Sequence, residues 1–148
     1  MITLPAEYLW NSPARLEHVD LICSAAGVVL DQFSIPSKDR FAVELLMREG
    51  LNNAVIHGCA NDASQSIQCR VTVLSGEVSI VIEDSGAGFD WRALSFKLSD
   101  PGREGGRGMS IYKLYASEIT FNDSGNCVTL KRIMNVNEGM DLSYQELE

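Results

Sequence analysis

Apolar residues recur along this chain with two periods, one near three and a half residues and one of two. Leu16, Val19, Ile22, Cys23, Ala26, Val29, Leu30 and Phe33 fall at three- and four-residue steps. They predict an amphipathic helix, with Ser12 as its N-cap and Pro13 at its first helical position. Ser34 to Ser37, with Pro36 inside, breaks the pattern. A second helix is predicted from about Lys38 to His57, closed by Gly58 as a left-handed cap. Ahead of both, Ile2, Leu4, Tyr8 and Trp10 lie around Pro5, which suits an edge strand.

The period changes to two after the polar stretch Asn61 to Gln65. Ile67, Cys69, Val71 and Val73 alternate, Ser75-Gly76 marks a tight turn, and Val78, Ile80 and Ile82 alternate again, so a hairpin is expected. Residues 90–106 have no period and end in DPGREGG; a loop of that length reads as functional, a lid. Met109, Ile111, Tyr112 and Tyr115 predict a helix over Arg107 to Ala116. Ile119 and Phe121, then Val128 and Leu130, predict a second hairpin about Asp123-Ser124-Gly125-Asn126. Strand, two helices, two strands, loop, helix and two strands imply an α/β two-layer sandwich: a mainly antiparallel sheet with helices on one face.

Composition narrows this picture. A chain of 148 residues reads as one domain with a real core. No apolar run is long enough to span a membrane, and the N-terminus MITLPAEYLWNS lacks the pattern of a signal peptide. Cys23, Cys59, Cys69 and Cys127 form no CxxC pair and read as reduced, mostly buried thiols of a cytoplasmic protein. The formal net charge of −8 argues against direct nucleic-acid binding. Half of that excess, Glu138, Asp141, Glu146 and Glu148, lies in residues 135–148, so the domain is expected over 1–134. The acidic tail reads as a flexible or short partner-binding segment.

Three groups of residues carry chemistry. Glu49, Asn53 and His57 are spaced i, i+4 and i+8 in ELLMREGLNNAVIHG, which places them on one face of the predicted helix. Asn53 offers a neutral oxygen suited to Mg²⁺, and Glu49, one turn before it, is a candidate base. Asp84, in Asp84-Ser85-Gly86-Ala87-Gly88-Phe89, is a carboxylate at a strand end, an acceptor for an amine such as that of adenine. Gly86 and Gly88 let backbone approach a ligand. Gly105-Gly106-Arg107-Gly108 precedes a helix, where free N–H groups bind phosphate; no lysine-serine or lysine-threonine follows, so this is not a P-loop.

Together E-x-x-x-N-A-x-x-H-G, D-x-G-x-G-F and G-G-R-G-M resemble the N, G1 and G2 boxes of the Bergerat-fold ATPases, which include gyrase and the sensor histidine kinases. Over Leu4 to Ile133, the wording of REGLNNAVIHG and GREGGRGMSIYKL is most similar to the anti-sigma-factor serine kinases of bacterial partner-switching systems. The resemblance implies that ATP and Mg²⁺ are bound, with Asn53 on the metal, Asp84 reading adenine and Glu49 the catalytic base. It implies that Gly86, Gly88 and Phe89 shape the adenine pocket, with His57 near its end. Gly105, Gly106, Arg107, Gly108 and Met109 would close over the phosphates. It further implies a STAS-type anti-anti-sigma protein as substrate, a sigma factor or other regulator as the sequestered partner, and a homodimer. In that subfamily an arginine of the first helix often engages the substrate; here the region reads RLEHVDLIC, with Asp20 at that place and Arg15 nearby. The alternative is a nucleotide-dependent switch that holds a partner without transferring phosphate. A sensor histidine kinase is not expected, because no dimerisation helix with a phospho-acceptor histidine precedes the domain.

Overall fold

The computed structural model describes residues 3–88 and 106–134, with backbone alone for 106–108. The elements are β1 (Ala6–Pro13), α1 (Leu16–Leu30), α2 (Ser37–Asn53), a π-helical turn (Ala54–Gly58), β2 (Ser66–Leu74), β3 (Glu77–Asp84), α3 (Gly106–Tyr115), β4 (Glu118–Phe121) and β5 (Cys127–Ile133). The strands form one sheet in the order β1-β2-β3-β5-β4, each neighbouring pair antiparallel. β1 is an edge strand, as the proline near its start requires.

The period-two pattern becomes the inner face of this sheet. Ile67, Cys69, Val71 and Val73 of β2, Val78, Ile80 and Ile82 of β3, and Val128 and Leu130 of β5 are all buried. Val19, Ile22, Ala26 and Leu30 of α1 and Val43, Leu46, Met47 and Leu51 of α2 join them in one core. The other sheet face carries polar rows, such as Glu7 and Arg70 on neighbouring strands. The architecture is therefore the two-layer α/β sandwich that the two periods imply.

Three local expectations change. Ser12 and Pro13 do not open a helix; they are the last residues of β1, paired with Ile67 and Ser66. Helix α1 starts at Leu16, after an extended Arg15 that makes no side-chain cap. Pairing along a full strand outweighs a local capping signal worth about 1 kcal/mol. Gly58 is not a left-handed cap. The left-handed residues are Ala60 and Asn61, at φ 51° and 59°. Before them α2 widens into the π turn, with Cys59 N–H donating to Ala54 O at 2.8 Å. That turn also changes the helical register beyond Asn53, so the i+8 rule does not carry through to His57. Of the expected lid over 90–106, all but Gly106 lies outside the described residues, as does the tail over 135–148; Gly106 is the first residue of α3.

Charged side chains join the helices. Arg40 of α2 donates to Asp31 and Glu44, both at 2.8 Å, and to Gly27 O at 3.1 Å, which anchors the end of α1. Arg48 pairs with Asp20, and Arg15 with Glu17 at 3.5 Å. Arg132 of β5 donates to the buried Asp39 at 2.8 Å and to Tyr115 O at 2.9 Å. That one guanidinium links the start of α2 to the end of α3.

Candidate nucleotide site

The end of β3, the end of α2 and the β4–β5 hairpin meet at an open cleft of about 250 Å³ of empty space. Gly50, Asn53 and Ala54 line it from the helix side, Ile82 and Asp84 from β3, and Tyr112 from α3. Phe121, Gly125, Asn126, Cys127 and Val128 complete the wall. A mostly apolar lining with a few convergent polar groups is the composition of a small-molecule pocket.

Asp84 is placed there by strand alternation. It follows Ile80 and Ile82 on the inner face, opposite Ile67 of β2, where the pattern calls for a hydrophobe. Only 6% of its surface is exposed. Its Oδ1 accepts from the Gly86 N–H at 2.9 Å, and among the described residues no donor reaches Oδ2. Burial pushes the carboxyl up to about 6, the Gly86 hydrogen bond pulls it down, and Glu83 nearby raises it further. A buried carboxylate with one oxygen unsatisfied needs a donor, and the cleft is where one can come from.

The glycines around Asp84 are places where a side chain would collide. A Cβ at Gly58 would overlap Oδ2 and lie 2.6 Å from Cγ of Asp84. A Cβ at Gly86 would overlap the Gly58 carbonyl. Gly88, at φ 83°, lies against the hairpin turn; a Cβ there would be 2.9 Å from the Ser124 carbonyl carbon. Asn126 holds that turn to β3: its side-chain amide donates to Asp84 O at 3.2 Å, and its own carbonyl accepts from Asp84 N–H at 2.9 Å.

Asn53 and Asp84 thus share one cleft. The Asn53 side-chain nitrogen donates to the Tyr112 hydroxyl at 3.0 Å, and among the described residues its Oδ1 accepts nothing. Tyr112 is fully buried, which raises its phenol well above the usual range and keeps it neutral. Glu49, half-buried one turn before Asn53, adds to that shift through its charge. Glu49 does not line the cleft itself. A Mg²⁺ ion keeps several waters and takes its other ligands from the nucleotide, so one neutral oxygen on Asn53 fits its needs. Among the described residues no cluster of three His, Cys, Asp or Glu could hold a metal without phosphate.

His57 is exposed and does not line the cleft; it lies within the π turn that follows Asn53. Gly106 to Gly108 form the first turn of α3, and Met109 is buried in the core. Phe89 and Gly105 lie outside the described residues. Tyr112, Asn126 and Gly50 are cleft residues to which sequence reasoning gave no part in the site. Gly50 carried a signal: a glycine inside a helix costs about 1 kcal/mol relative to alanine, so it needs a packing reason. That reason is Ile82, whose Cδ1 a Cβ would overlap.

The family model described as the histidine kinase-like ATPase domain matches residues 12–132. Blue-light-activated histidine kinase 2 of Erythrobacter litoralis (strain HTCC2594) is 31% identical over 90 residues, which cover 57% of this chain and 26% of that protein. Among solved structures, the histidine kinase domain from the Erythrobacter litoralis EL346 blue-light activated histidine kinase aligns with 91% of this chain and 64% of its own, at 24% identity and a TM-score of 0.49. The chain thus spans about a quarter of the curated relative that it matches. No helix among the described residues is long and apolar enough to cross a membrane. With Glu49, Asn53, Asp84 and the start of α3 all inside the matched span, the chain belongs to the histidine kinase-like ATPase family, whose members bind ATP.

Proposed function

We propose that this domain is an ATP-dependent protein-serine kinase and anti-sigma factor. It phosphorylates a STAS-type anti-anti-sigma protein and, when unopposed, sequesters a sigma factor or other regulator, acting as a homodimer. The kinase reading is supported by the helix that carries Glu49 one turn before Asn53, itself a residue of the cleft. Asp84 accepts the adenine amine, and Asn53 Oδ1 meets Mg²⁺ at the phosphates. Mg²⁺, held by Asn53 beside the nucleotide, would supply charge neutralisation for the transferred phosphoryl group. Glu49 takes the proton of the attacking serine hydroxyl as its oxygen bonds to the γ-phosphorus. The bond to the bridging β–γ oxygen breaks and ADP leaves. The choice of a serine and of a STAS-type partner is supported by the wording of REGLNNAVIHG and GREGGRGMSIYKL.

A second reading has its own support: the curated relative is named a histidine kinase, which points to a histidine acceptor on another segment or protein. Incubation with Mg-[γ-³²P]ATP and the candidate STAS protein separates the two. Acid-stable label recovered as phosphoserine on the partner is expected. Acid-labile label on a histidine would move the assignment to the second reading. Absence of label on every partner that the protein binds would leave a nucleotide-gated binding switch.

A further inference from the structure

Gly58 packs directly against the Asp84 side chain. The three atoms nearest to a Cβ built there are Oδ2, Cγ and Oδ1 of Asp84, the last at 2.9 Å. The approach is delivered by the helix end. The π turn Ala54–Gly58 widens the last turn of the helix, and the chain leaves it through two consecutive left-handed residues, Ala60 and Asn61. Left-handed backbone at a β-carbon-bearing residue such as Ala60 costs about 1–3 kcal/mol and persists only where the surroundings enforce it. Here Asn61 N–H reaches back to Val55 O at 2.9 Å. The same geometry brings the Gly58 carbonyl against Gly86, whose N–H holds Asp84 Oδ1.

We propose that Gly58 is a positioning residue for nucleotide selectivity: its bare Cα, presented by the π turn, leaves room for the Asp84 carboxylate in the orientation that the Gly86 hydrogen bond holds, with Oδ2 the oxygen left for a donor. The proposal rests on the reading of Asp84 as the adenine acceptor. With Oδ1 held by Gly86, rotation of the carboxylate is blocked on one side by the hydrogen bond. On the other side it needs the space that a Gly58 side chain would fill. Any side chain at 58 drives the carboxylate off its axis, and an amine donor on the base then meets no acceptor.

The test compares ATP and GTP affinity by calorimetry in the parent, Gly58→Ala and Asp84→Asn. In Asp84→Asn the Gly86 N–H keeps the amide oxygen, so the amide nitrogen takes the place of Oδ2 and opposes the adenine amine. Both variants are expected to lose the preference for ATP over GTP by about five- to a hundredfold, the worth of one mismatched buried donor. General damage to the fold would lower both affinities together and leave their ratio unchanged. A parental ratio in Gly58→Ala, with the ratio lost in Asp84→Asn, overturns the proposal alone. A parental ratio in Asp84→Asn removes the adenine reading and the proposal with it. Should Gly58→Ala not fold, the same substitution is made in an Asp84→Ala background. There it is expected to shift the urea midpoint little, and full loss of folding in that background overturns the proposal.

Discussion

The side-chain nitrogen of Asn53 donates to the hydroxyl of Tyr112 at 3.0 Å across 59 positions of chain. This bond joins α2 to α3 at the floor of the cleft and decides which end of the Asn53 amide faces outward. Because the nitrogen is engaged, the oxygen is the atom left for a ligand. Tyr112 in turn is fully buried, with its ring tilted against Phe121 at 6.5 Å between centroids, so the hydroxyl cannot swing away.

Tyr112→Phe removes the acceptor and keeps the ring. We expect a stability loss of about 1 kcal/mol, the net worth of one hydrogen bond. We also expect weaker binding of Mg-ATP, with affinity for ATP in EDTA unchanged, because only the metal depends on the amide oxygen. Calorimetry in the two buffers checks this. Equal Mg-ATP affinity in parent and variant would mean that the bond does not orient Asn53.

Glu49→Ala and Asn53→Ala should fail differently. Loss of a general base costs about 10²–10⁴-fold in transfer rate and need not cost ground-state affinity. Glu49→Ala should therefore still bind ATP and capture its partner. Asn53→Ala should lose both transfer and tight Mg-ATP binding. Phosphoserine formation and co-elution with the partner are the two readouts. Transfer at the parental rate by Glu49→Ala would remove its assigned role.

ATP affinity is expected to depend on pH through Asp84. Burial raises its carboxyl from 3.8 to about 6 in the folded protein, so folding favours the neutral form. The folded state then binds more protons than the unfolded state, and stability falls as pH rises. The contribution from this group is present below pH 3.8 and lost as pH passes about 6, amounting to at most about 3 kcal/mol. An adenine amine needs the charged acceptor, so ATP affinity should rise between roughly pH 5 and pH 7, with proton release on binding. Titration in buffers of different ionisation enthalpy measures that release. Asp84→Asn should flatten the profile; the titration of the nucleotide's own phosphates is common to both proteins and cancels.

Arg132→Met should destabilise the domain by about 3–5 kcal/mol, because it leaves the Asp39 carboxylate buried and uncompensated. Asp39 and Arg132 side chains are 6% and 15% exposed. The loss also frees Tyr115 O at the end of α3. Urea unfolding gives the number. A change below about 1 kcal/mol would place this pair with ordinary surface salt bridges.

Much of this protein is legible in one dimension. The periods of 3.6 and 2 report which face of each element is buried, and that is a local property. The order of helices and strands, the hairpins about Ser75-Gly76 and Asp123 to Asn126, and the inward register of Asp84 after Ile80 and Ile82 all follow from them. The motifs that resemble the three boxes are also read along the chain, from the spacing and wording of their residues and not from the periods. What tertiary structure alone decided is how segments far apart in the chain approach each other. Ser12 and Pro13 carried a helix-start signal, and pairing with β2 drew them into a strand. His57 shared a face with Asn53 on an ideal helix, and the π turn moved it to the exposed surface. Gly58 looked like a cap, and its lack of a side chain instead makes room for a carboxylate 26 positions later. Tyr112 and Asn126 gave no local sign of the cleft that they line. In each case the deciding energy is a contact between elements, a strand ladder, a close backbone approach or a buried hydrogen bond. It is comparable to or larger than the local propensity that it overrides.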